Sequence, residues 1–137
     1  MREDLGSGTP DDPWRLKTPP LTSEFTVHRE SRDGRDILVC IDGDTELHFD
    51  ARCLEHLRAI LKVAGGWVEL GPADEQTEAK PGTVEAWGRS PDNPIHGWYG
   101  LTPGLRGQFG MYVPPLMERL GLAEVEHKPH RNRMRAL

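Results

Sequence analysis

The chain has 137 residues, with 15 glycines and 12 prolines, a length and composition that suit one domain with a modest core and many turns. Four tryptophans and three phenylalanines supply burial, while the net charge of −5 opposes non-specific attraction to DNA or to an anionic membrane. No run approaches the roughly 20 apolar residues of a membrane span, and MREDLGSGTPDDP lacks the pattern of a signal peptide, so a cytoplasmic protein without a membrane partner is expected.

Residues 1–22 form a polar, proline-rich segment in which Pro10, Pro13, Pro19 and Pro20 argue against a helix or a central strand. A disordered start is expected, strapped to the body by Trp14, Leu16 and Leu21. From Ser23 the pattern becomes β: EFTVHRE alternates, SRDGRD turns around Gly34, ILVCI is β-rich, Asp42-Gly43-Asp44 turns again and TELHFD alternates. Three antiparallel strands follow from it.

Asp50 is placed to cap a helix in which Cys53, Leu54, Leu57, Ile60, Leu61 and Ala64 recur at spacings of three and four, with Gly65-Gly66 ending it. Its opposite face, Arg52, Glu55, Arg58 and Lys62, reads as an ordinary solvated face, and WVEL reads as a fourth strand. Residues 23–70 are thus a β-β-β-α-β lobe, and residues 71–82, GPADEQTEAKPG, an acidic linker loop. Beyond it Thr83 caps a short helix with Val84 and Trp87, which SPDNP stops. Thr102 before Pro103, and Val113 before Pro114-Pro115, are two further helix-start signals, the second predicting a helix over about 114–120. AEVEH and RMRAL then pair around the basic turn KPHRN.

Charge is segregated: residues 1–100 hold 11 cations against 19 carboxylates, and residues 101–137 hold 6 against 3. Helix, tight connection, helix ending in Leu-Gly-Leu, strand, basic turn, strand: residues 83–137 resemble a winged helix-turn-helix domain, with ERLGLAEVEHKPHRNRMRAL as its second helix and wing. The resemblance implies nucleic-acid contact through Lys128, Arg131, Arg133 and Arg135 of the wing. Arg119 is one of only two polar residues in VPPLMERLG, too few to read bases, so phosphate contact is what it would supply. The competing expectation is a hairpin whose arginines pair with Glu124 and Glu126 across the strands.

GWYGLTPGLRGQFGMY interleaves Trp98, Tyr99, Phe109 and Tyr112 with Arg106, a mixture that suits either a core or a partner-binding surface, but it has no phosphate-loop spacing. His48, Cys53 and His56 do not converge as four zinc ligands should, and His127-x-x-His130 sits among cations, so no metal and no cofactor are expected. Cys40 and Cys53 read as free structural thiols. An enzyme would need His96 or another histidine against a carboxylate in a pocket, and no nucleophile motif is present. The sequence therefore predicts an α+β protein, an N-terminal antiparallel sheet with one amphipathic helix plus a winged-helix-like C-terminal lobe. Its expected function is a non-catalytic interaction module with an unknown protein partner, the alternatives being a nucleic-acid binder and a small enzyme.

Overall fold

The computed structural model describes residues 6–137, so the first five residues of the proline-rich segment lie outside the described residues. The elements are β1 (Trp14–Lys17), β2 (Glu24–Arg32), β3 (Arg35–Asp42), β4 (Thr45–Asp50), α1 (Cys53–Ala64), β5 (Val68–Glu69), α2 (Val84–Trp87), α3 (Phe109–Arg119), β6 (Ala123–Val125) and β7 (Arg133–Ala136). Strands β1 to β4 form an antiparallel meander, and a second sheet has the order β5-β7-β6. The architecture is α+β, with the helices packed among the sheets.

The turns around Gly34 and Gly43 set the meander register, which pairs Leu38 with Phe49 and Cys40 with both Val27 and Leu47. These side chains share one face and bury against α1 and α3. Among the described residues the N-terminal segment contributes β1, with Trp14 and Leu16 buried against the body as expected, whereas Leu21 is 51% exposed. An edge position reconciles the strand with its flanking prolines, since an edge needs only one row of backbone bonds.

Helix α1 follows the predicted stripe, and Gly65 closes it in the left-handed conformation, its N–H donating to the Leu61 carbonyl. Asp50 does not cap it. The N-cap is Arg52 without a side-chain bond, and Asp50 instead accepts from the Arg52 backbone N–H at 3.0 Å and grips its guanidinium at 2.7 Å. Thr83 does cap α2, accepting from the Ala86 N–H at 3.1 Å.

Two boundaries differ from expectation. Of the two short helices predicted at the proline signals, the first does not form, residues 102–108 being turn and loop, and α3 starts at Phe109 and runs on through Pro114 and Pro115. Each proline removes one i→i−4 bond, an effect of about 3 kcal/mol in an isolated helix, but here the Val113–Met117 run is buried throughout, and tertiary packing overrides the local stop signal. The expected division into two lobes also gives way. Strand β5, expected in the first lobe, pairs with β7, and one hydrophobic cluster runs from Trp14 to Met134. Residues of the acidic loop are fastened as well, the Ala73 carbonyl accepting from Gln108 N–H at 2.7 Å and Glu75 holding Arg106 at 2.9 Å.

Glu85 of α2 sits beneath this junction, its side chain 1% exposed. It accepts from the Gly110 N–H in the first turn of α3 at 2.8 Å, from Ala73 N–H at 3.3 Å and from Arg89 at 2.8 Å. Burial pushes its carboxyl above the usual range while these donors pull it back. The Glu85 N–H in turn donates to the Leu70 carbonyl, whose oxygen would lie 2.6 Å from a Cβ added at Gly110. On this geometry Gly110→Ala is expected to lose about 1–3 kcal/mol through overpacking, and Glu85→Ala about 3–5 kcal/mol through the stranded Arg89 and Gly110 donors. Urea unfolding measures both, and a Glu85→Ala loss below that of Gly110→Ala would contradict the assignment.

His127 ties the two ends of the described chain. Its Nδ1 faces the Pro19 carbonyl at 2.9 Å and its Nε2 faces Glu118 at 2.7 Å. Both partners are acceptors, so both ring nitrogens donate and the imidazolium is the bound form. Burial lowers the His127 pKa, but the bonds from Glu118 and Pro19 outweigh it and the net shift is upward. A raised folded pKa gives stability that is complete below the unfolded value of about 6.5 and is lost as pH rises through the folded value. The stability difference between wild type and His127→Gln is therefore expected to be largest in mild acid and to shrink above neutrality. A difference that grows with pH in urea titrations would reverse the assignment.

Candidate functional site

The C-terminal hairpin pairs as predicted, Glu124 opposite Arg135 and Val125 opposite Met134. Its cations are engaged by their own strands. Arg133 takes Glu126 at 2.6 Å, Arg135 takes Glu124 at 2.8 Å and Lys128 lies 3.4 Å from Glu126. The hydrogen bonds from Arg133, joined by Lys128, draw the Glu126 pKa down to about 2. Trp67 adds a platform that sequence reasoning missed, its ring lying under both Arg133 and Arg135, at 5.3 and 4.5 Å. Arg131, in the left-handed conformation at the turn, is exposed without an ion pair among the described residues.

Arg106 and Arg119 lie elsewhere. The Arg106 guanidinium is clamped by Glu75 and stacks on Trp98 at 4.5 Å, while Arg89 covers the same ring at 4.4 Å. Trp98 is thus in contact with two arginines. Arg119, in the last turn of α3, donates to the Gly6 carbonyl. Tyr99 is fully buried in a cluster with Trp87 and Phe109, its ring 5.2 and 5.5 Å from theirs, and is bonded through its hydroxyl to His56 Nδ1 at 2.8 Å. Tyr112 packs edge-on to Phe25 and donates to Asp42 at 2.7 Å. Of α3, only Glu118 is classed as exposed.

The structure therefore does not assemble the sequence-predicted residues into one surface, and a different feature stands out. The apolar stripe of α1 is wider than the core can cover: Ile60 is 39% exposed, Ala64 is exposed, and Val63 beside them is 81% exposed. Between this uncovered edge and α2 runs an apolar groove of about 390 Å3, floored by Leu57 and Leu61 and walled by Val68, Val84 and Trp87. The short reach of α2 leaves it open, because the helix stops after a single turn at Trp87. A signal for it was present in the sequence, since Val63 next to Ile60 breaks the solvated face of the helix.

Histidines do not face a reaction cavity. His48 borders a shallow polar depression with Arg32 and Arg35, but its Nε2 is held by Glu46 at 2.6 Å and its Nδ1 faces Arg32 at 3.5 Å. His96 is exposed and bonded to the Pro91 carbonyl. Among the described residues no group of three or more His, Cys, Asp or Glu could hold a metal ion, and no helix is long and apolar enough to cross a membrane. Cys40 and Cys53 are free and buried, which pushes both thiols up.

No curated protein and no solved structure matches the chain. A family of unknown function, DUF6855, matches residues 6–137, and the chain belongs to that family.

Proposed function

We propose that the chain is a small non-catalytic interaction module that binds a protein partner through the groove beside α1. The observation that carries this reading is the uncovered edge of α1, where Ile60, Val63 and Ala64 stand beside an apolar trough. Isolated exposed apolar residues need no explanation, but three together at a groove of this volume suit the apolar face of a partner helix.

The alternatives have less support. For nucleic acid, three of the four wing cations are already paired with Glu124 or Glu126, and the helix ahead of the hairpin is largely buried. For catalysis, His48 is held by Glu46 beside a shallow polar depression, with no nucleophile motif to accompany it.

The test is a displayed peptide library selected on the wild-type protein and counter-screened on Ala64→Glu, which places a charge at the rim without disturbing the core. Enriched peptides are expected to carry Leu, Ile or Phe at helical spacing and to bind the variant about tenfold or more weakly, a change of about 1.4 kcal/mol. Enrichment that is indifferent to Ala64→Glu would reject the groove as the site.

A further inference from the structure

The other flank of α1 carries a second cleft of different chemistry, about 410 Å3 in volume, between the helix and the Leu120–Leu122 turn. Its floor is apolar, formed by Leu54, Leu120 and Leu122. Its rim is cationic: Arg58 and Lys62 rise one turn apart on α1, and Arg29 faces them from β2. None of the three has an ion pair among the described residues, in contrast to the hairpin arginines. Glu55, the one carboxylate on the lining, makes no ion pair with them either.

A second observation concerns Arg58 itself. Its Nε is buried and has no hydrogen-bond acceptor among the described residues. Buried donors in folded proteins almost always have a partner. In a chain whose net charge is −5, three unpaired cations gathered over leucines form a local surface of opposite sign to the whole.

We infer that the cleft between α1 and the Leu120–Leu122 turn docks an acidic amphipathic polypeptide segment, its carboxylates meeting Arg58, Lys62 and Arg29 and its apolar side chains lying on the leucine floor. The inference stands apart from the apolar groove, on the opposite side of the same helix. A polypeptide fits better than a nucleic acid, because the aliphatic floor suits apolar side chains and offers no aromatic ring on which bases could stack. Arginine on the rim suits a carboxylate in particular, offering a planar fork of donors.

The probe is a fluorescent peptide of about four helical turns with leucine on one face and glutamate on the other, its mirror in charge being the same peptide with lysine. Fluorescence anisotropy is expected to show binding of the glutamate peptide, weakened several-fold between about 0.05 M and 0.3 M salt, and little binding of the lysine peptide. Arg58→Glu with Lys62→Glu should weaken it about tenfold or more, and Lys62→Glu alone, at an exposed position, should weaken it in the same direction with the fold intact by circular dichroism. The measurements are made in the Ala64→Glu background, which blocks the groove to a leucine face, so that the loss on Lys62→Glu reports this cleft alone. Equal binding of both peptides, absence of binding to the glutamate peptide, or indifference to Lys62→Glu would overturn the inference. So would tighter binding of a single-stranded oligonucleotide that Lys62→Glu abolishes, or concentration-dependent dimers in sedimentation that the same variant dissolves.

Discussion

A buried carboxylate organises the middle of this fold. Glu85 lies on a helix of one turn, which has little stability of its own, yet it collects N–H groups from two separate segments and a guanidinium from a third position. Removing a charge from water costs several kcal/mol, so such a group persists only where its lone pairs are filled. Filling them fixes the start of α3, the path of the loop at Ala73 and the position of Arg89 together. Arg89 then covers Trp98, which also takes Arg106, whose own fork is closed by Glu75. One carboxylate thereby fastens the acidic loop, which composition alone would leave as a free linker.

The same reasoning about satisfied and unsatisfied charge separates the two cationic regions of the molecule. On the hairpin, cross-strand register puts Glu124 opposite Arg135, while Glu126 takes Arg133 and Lys128, and Trp67 supports both arginines from the neighbouring strand. Each exposed pair adds little stability, but together they occupy most of the hairpin's cations. On α1 the cations have no such register. Arg58 and Lys62 are four residues apart, so they stand on one face and repel instead of pairing. Counting cations along the chain therefore pointed to the C-terminus, whereas counting unpaired ones points to α1.

What could be read from the sequence was mostly local. Strands β2 to β4 follow from alternation and from glycine turns, α1 from its stripe and its closing glycines, and the α2 cap from Thr83. Each depends on residues within a few positions of one another. The Asp50 cap is lost to a local bond with Arg52, but the larger failures involve distant partners. Pro114 and Pro115 read as a helix start because a local rule places prolines in the first turn, and only burial of Val113–Met117 carries the helix through them. Strand β5 has two residues and no pairing signal, because β7, its partner, lies some sixty residues further along. The candidate groove was partly legible, since its floor residues were the predicted stripe. Its openness was not, because it depends on how far α2 reaches.

That last point bears on why α1 is exposed on both flanks. A helix in a small domain is normally covered by the elements on either side, and here those are α2 and the end of α3. Helix α2 spans four residues, and α3 ends at Arg119, with Gly121 turning the chain away into β6. Neither can be extended without breaking its anchors: α2 stops where Asn93 ties the Trp87 and Gly97 carbonyls, and the turn after α3 is fixed by the Leu122 N–H donating to the Met117 carbonyl. The core is closed by Leu57 and Leu61 all the same, both almost completely buried. Covering the flanks would add apolar burial worth about 25 cal/mol per Å2, and the fold forgoes it on one side with an apolar trough and on the other with a cationic one. Two differently built clefts on one rigid helix are suited to a partner that is read by shape on one side and by charge on the other.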